Sequence, residues 1–423
     1  MTTTVDRNAV QRRVLAALVV AQVLGGVGVA VGFALASLTA AELAGSDVVG
    51  GAALTCMVVG TAAVALPISR LAARAGRRPA LLLGYGVATV GAVGAAVAVA
   101  VGSWHMLLAA LLAFGAATAA GLSARFAATD LALPHRRARA LAVVVWATTV
   151  GVVAGPNLAA PMQDLAAAAG LVPASGPFVL SAVGFVLAAL AVGLGLRPDP
   201  LVLARADAAL QDRAGAGTPD RAAWRVLVSS SPAVLAVSAI AVSQMAMIGL
   251  MSLTPVHMNH GGASLQLVGL VISLHVAGMY VLSPVFGLLA DRWGRLPVLV
   301  AGGAMLVAAG VVAGPAAATD ATRLAVGLVA LGLGWSAALI AGSAMLTDAV
   351  PLDERARVQG LSDVAMNVAG ALGGILAGVV VATASFTALG LAVSATVAPF
   401  VVIVLVTATR HTERSPPCPT SCA

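Results

Sequence analysis

Apolar residues run along this chain in long unbroken blocks separated by short polar turns, and the blocks are close to one size. They cover about 14–39, 48–71, 80–101, 105–130, 140–161, 177–196, 231–256, 265–289, 297–317, 323–348, 359–383 and 386–408. A helix rises about 1.5 Å per residue, so each block can cross a hydrocarbon layer of about 30 Å. The pattern predicts an all-α membrane protein with twelve transmembrane helices. The first block is too long for a signal-peptide core and is read as a retained helix.

The polar positions then orient the blocks. Of 423 residues 60% are hydrophobic and 9% charged, against about 25% charged in soluble domains. All 23 basic residues are arginine. Arg323 alone falls in a loop of the opposite side and Arg125 inside a block. By the positive-inside rule both termini face the cytoplasm, in a multi-pass protein of the bacterial inner membrane. The net charge of +7 is therefore a loop property, and no nucleic-acid partner is expected. Cys56 lies in a block and Cys418 and Cys422 in the tail, which gives no disulfide framework. There is no lysine, no phosphate-binding loop of the G-x-x-x-x-G-K-[ST] kind and no catalytic constellation. The expectation is a secondary transporter, not an enzyme, acting as a monomer.

The polar stretch 197–223 divides the chain into an N-terminal half, 1–196, and a C-terminal half, 224–408, followed by a tail, 409–423. The halves repeat. SRLAARAGRRPALLLG at 69–84 aligns with GLLADRWGRLPVLVAG at 287–302 at an offset of 218, matching Gly76 with Gly294, Arg77 with Arg295 and Pro79 with Pro297. The same offset carries Asp130 onto Asp348, Arg137 onto Arg355 and Arg139 onto Arg357. Two six-helix halves related in this way resemble the major facilitator superfamily. The resemblance implies its fold and an alternating-access cycle in which the halves rock about a midplane site.

GLLADRWGR fits that family's loop signature G-x-L-x-D-R-x-G-R, carried by Asp291, Arg292, Gly294 and Arg295, whereas Ala73 replaces the acid in the first copy. The Asp130/Arg137 and Asp348/Arg355 spacing is similar to the cytoplasmic latch of sugar porters. These residues, with Arg139 and Arg357, are the candidate gate. Asp291 is expected to meet Arg137 or Arg139 when the inside is shut; the alternative is that the arginines serve topology alone. Gly151, Gly155 and Pro156 in GVVAGPNLAAP resemble the fifth-helix signature of proton-coupled drug exporters, with simple packing and bending as the alternative. Arg125 needs an acid or a wet cavity inside the membrane. Asp363 is the expected partner or proton site, with snorkelling of both groups as the alternative.

The candidate cargo site lies in the seventh and eighth blocks. Gln244, Met247, Met251, Thr254 and Met258 recur at helical steps, as do His275, Met279 and Ser283 in the next block. At 1.5 Å per residue Met247 and His275 lie level, about 14 and about 15 Å deep, whereas Met251 and Met279 differ by about 13 Å. Thioethers select Cu(I), and neutral imidazole is an acceptable partner. The motifs MIGLM and HVAGM resemble the M-x-x-x-M and H-x-x-x-M of bacterial copper importers in this superfamily. That resemblance implies uptake of copper or another soft metal ion, with Met247 and His275 as principal ligands and Met251 and Met279 in support. Copper would be cargo, and no cofactor is expected. Gln244, Met258 and Ser283 would line the pathway, with His257 and His260 at its outer mouth and Cys418 and Cys422 as possible inner acceptors. The alternatives are core packing for the methionines and proton carriage or substrate hydrogen bonding for His275. The corresponding functions are proton-coupled efflux of drugs or metabolites, or uptake of a small organic solute such as a vitamin.

Overall fold

The computed structural model describes residues 6–211 and 222–414. Among them there is no strand, and twelve helices are long and apolar enough to cross a membrane: Arg7–Ala44, Val48–Ala75, Arg77–Ala100, Trp104–Ala127, Pro134–Gly155, Pro173–Leu210, Ser231–His260, Gln266–Arg292, Arg295–Ala313, Ala321–Ala349, Leu352–Thr383 and Phe386–Val406. All twelve blocks of the sequence are thus helical. Cys418 and Cys422 lie outside the described residues.

The helices are not all regular. The eighth is interrupted between Tyr280 and Ser283. Proline has no N–H and crowds the preceding turn, and Pro284 stands at the second position of the continuation. Ser283 Oγ donates to the freed region at the Tyr280 carbonyl, 2.6 Å away. In the seventh helix Pro255 is internal, which leaves the carbonyl of Met251, four residues earlier, without its usual donor. Both irregularities sit beside a methionine of the predicted stripe.

The chain forms two compact units. The first holds Met1–Val234 and Ser343–Val368; the second holds Leu235–Gly342 and Ala369–Ala423. In lipid, apolar contact alone gives helices no reason to associate, so close packing of small residues takes that role. The first helix of the first unit shows how. Its glycines at 25, 28 and 32 form one stripe, and each receives an aromatic ring. A Cβ on Gly25 would stand 2.9 Å from Tyr85 and one on Gly28 2.8 Å from Phe185, while Gly32 faces Phe114 more closely still. Phe114 and Phe185 meet edge to face, 5.1 Å between centroids.

The loop glycines of the repeated motif share a conformation as well as a sequence position. Gly76 has φ 96° and Gly294 φ 95°, values that a side chain would strain. In the second unit Gly310 and Gly314 press against Gly390, and Gly249 against Gly373. Replacing Gly28 by valine should force the Phe185 ring aside and lower stability by about 1–3 kcal/mol. Thermal unfolding of the detergent-solubilised protein, followed by near-UV circular dichroism, would show this as a lowered midpoint.

Candidate functional site

In the first unit, charged side chains tie the two sequence copies together. Arg77 is buried and donates twice to Asp130, from Nε at 2.7 Å and from Nη2 at 3.2 Å; Nη2 also reaches Gln359 Oε1 at 2.6 Å. Gln359 Nε2 in turn donates to Thr347 Oγ1 at 3.2 Å. Arg125 Nη2 donates to Asp363 Oδ1 at 2.6 Å, with side-chain exposures of 2% and 6%. Arg125 Nε reaches Ser343 Oγ at 3.3 Å, which lies 218 positions on, the same place in the second copy. The Arg125 guanidinium also lies over the Phe126 ring, 4.5 Å from its centroid. Arg137 Nη1 donates to Asp348 Oδ1 at 2.6 Å nearer the surface.

These contacts bring together most of the predicted charged residues. Asp363 is the partner of Arg125, and burial of both side chains replaces the snorkelling alternative. Asp348 engages Arg137, and Asp291 engages Arg295 four residues on, at 2.7 Å. Arg355 is buried and reaches the Val350 carbonyl at 3.5 Å; Arg357 lies 3.5 Å from Glu354. Arg139 and Arg292 are exposed. Gly151 and Gly155 face the first helix: a Cβ on Gly151 would stand 2.5 Å from the Gly26 backbone, and one on Gly155 2.6 Å from Ala30. Pro156 continues the same helix, Arg137–Ala168. These two glycines of the fifth-helix motif thus stand where the two helices approach most closely.

The second unit holds the uncharged candidate residues. His275 is wholly buried. Gly278 and Gly332 let the eighth and tenth helices touch through their backbones, since a Cβ on Gly278 would stand 2.9 Å from the Val329 carbonyl oxygen and one on Gly332 2.5 Å from that of His275. At this approach His275 Nδ1 lies 2.7 Å from the Leu328 carbonyl. A carbonyl can only accept, so Nδ1 carries the proton. Nε2, at the other edge of the ring, is buried and has no hydrogen-bond partner.

The other uncharged candidates are placed in the same unit by contacts of their own. Gln244 Oε1 accepts from Trp335 Nε1 at 2.6 Å, and the Trp335 ring meets Tyr280 edge to face at 5.8 Å. Met247 and Met279 are buried and Met251 is half-buried. Met258 is buried close to the helix end at His260. His257 stacks on Phe386, 4.1 Å between centroids, and its Nε2 lies 3.1 Å from the Ala316 carbonyl. With exposed His260 it lines a cavity of about 290 Å³ that also includes Ser385 and Thr387. Among the described residues no three His, Cys, Asp or Glu side chains converge as metal ligands.

Sequence reasoning passed over Arg77, Gln359, Trp335 and Tyr280 as site residues. Arg77 was visible as the repeat partner of Arg295, and Tyr280 as one of two tyrosines in the chain. For Gln359 and Trp335 the only signal was a polar-edged side chain within an apolar block.

Comparison with known sequences assigns the fold a family. The profile of the Major Facilitator Superfamily matches residues 14–264 and 237–418. The chain belongs to that superfamily. It is 37% identical to the uncharacterized MFS-type transporter YdeG of Bacillus subtilis (strain 168) over 385 residues, 91% of this chain and 89% of that one. It is 28% identical to the riboflavin transporter RfnT of Brucella anthropi over 362 residues, 85% and 87% of the two chains. Among solved structures, the human organic anion transporter MFSD10 (TETRAN) superposes with a TM-score of 0.74 at 16% identity, covering 93% of this chain and 99% of that one. The likeness to MFSD10 is one of fold.

The buried ties yield a stability prediction. Asp363→Asn leaves the Arg125 guanidinium without its counter-charge and should cost about 3–5 kcal/mol. Replacing both, as Arg125→Met with Asp363→Leu, should recover most of that loss in the same unfolding measurement.

Proposed function

We propose that this superfamily member is a secondary active transporter working by alternating access, and that it takes up Cu(I) or a similarly soft cation at His275. The observation that carries the cargo reading is the state of that ring. Its Nδ1–H is committed to the Leu328 carbonyl, and the opposite nitrogen is buried with no partner. Histidines that ligate metals characteristically give their other N–H to a carbonyl or carboxylate, which holds the ring and its tautomer. A buried acceptor left unpaired is costly, and a ligand at Nε2 would remove that cost. Met247 and Met279 supply buried thioethers, the donors that favour Cu(I).

The charged ties of the first unit provide the gate in this reading. They hold residues of the second copy at positions 343–363 against Arg77, Arg125 and Arg137 of the first. Opening at this arginine-rich end, which the positive-inside rule puts in the cytoplasm, requires them to part.

A second reading has its own support. Gln244, Trp335 and Tyr280 form an aromatic and amide cluster of the kind that stacks on and hydrogen-bonds a flat organic solute, and the similarity to a riboflavin transporter points the same way. Radiolabelled copper and riboflavin uptake by cells expressing wild type, His275→Ala, Met247→Ala and Trp335→Phe separates the two. Copper accumulation above the empty-vector level, abolished in His275→Ala and reduced about tenfold or more in Met247→Ala, supports the metal reading. Riboflavin uptake that depends on Trp335, with no copper accumulation, replaces it with the organic one.

A further inference from the structure

One cavity of the first unit lies on the outer side of the helix that carries Arg137. It opens between the start of the first helix and the start of the helix Arg137–Ala168, has a volume of about 710 Å³, and is floored by Leu131–Leu133. The two helices run parallel in a steady register: Gln22 donates to Thr148, Gly26 packs on Gly151 and Ala30 on Gly155. Toward the arginine-rich end they separate, and the cavity fills the gap.

Its lining changes character with depth. Arg12 stands one turn before Leu15 on one wall; Arg136 and Arg139 stand one to two turns before Val143 on the other. Both helices enter the bilayer in the same direction, so the arginines form the rim and the aliphatic side chains the wall below it. Arg12 and Arg136 are exposed, as are Leu133 at 52% and Val143 at 38%. The acid at the rim, Asp6, is turned to the helix start, where it accepts from the backbone of Asn8 and Ala9. Gln11 Nε2 is tied to the Ala128 carbonyl at 2.9 Å, while its Oε1 is buried and has no hydrogen-bond partner.

We infer that this groove binds one anionic phospholipid of the leaflet at the arginine-rich end. The phosphate sits between Arg12 and Arg136, and an acyl chain lies along Leu15 and Val143. Basic pockets between membrane helices on the cytoplasmic side are suited to such headgroups, and guanidinium forks match phosphate geometry. A rim of positive charge above an apolar wall complements an amphiphile, whereas a free anion would use the rim alone.

The test is the thermal midpoint of the purified full-length protein in phosphatidylcholine nanodiscs with and without phosphatidylglycerol. Phosphatidylglycerol should raise the midpoint. The rise should disappear in the double variant Arg12→Gln/Arg136→Gln and in Val143→Trp, which fills the apolar wall and leaves the rim intact. Arg323→Gln, at the opposite end, should retain it. A rise that survives both groove variants means that the leaflet charge acts diffusely and overturns the proposal. So does an equal rise produced by inorganic phosphate in phosphatidylcholine alone, or no rise in the wild type.

Discussion

A guanidinium enclosed by helices cannot remain without a counter-charge, and in this chain that requirement ties the two sequence copies together. Arg77 and Arg125 are buried, and the groups that bond to them are Asp130, Gln359, Asp363 and Ser343. Such pairs add little net stability over a well-packed apolar joint, because removing two ions from water costs about as much as their attraction returns. What they add is direction: each bond has a required partner and geometry, so together they hold one arrangement of the helices they join.

Elsewhere the structure is held by the absence of side chains. The glycines of the first helix admit three aromatic rings, and Gly278 and Gly332 admit backbone against backbone. The latter contact has a chemical consequence. At that separation His275 reaches the Leu328 carbonyl, and with Nδ1 so committed Nε2 is left as a buried acceptor without a partner. Packing of small residues therefore decides the tautomer of this buried imidazole.

The run Arg136, Arg137, Ala138, Arg139, which spans the entry into the helix Arg137–Ala168, shows how one short stretch serves two purposes. Successive residues point about 100° apart, so Arg137 meets Asp348 on the inner side while Arg136 and Arg139 line the outer groove. As a string these arginines read only as a topology signal. Their division between an internal tie and a lipid-facing rim depends on which neighbours each direction of the helix meets.

The sequence by itself determined that the chain crosses the membrane twelve times and that its halves are copies, because bilayer thickness dictates block length and a common offset survives in the loops. It also marked Arg125, Asp363 and His275, since hydrocarbon makes any polar group conspicuous. Partner choice was a different matter. That Arg137 takes Asp348, that Arg77 joins Asp130 to Gln359 and that Trp335 pairs with Gln244 were decided by the tertiary structure. These residues lie between 53 and 282 positions apart, and local pattern carries no record of which distant helix faces which. The same holds for the broken eighth helix: Pro284 announces a break, but only the packed neighbours decide what the freed groups and the buried ring beside them will meet.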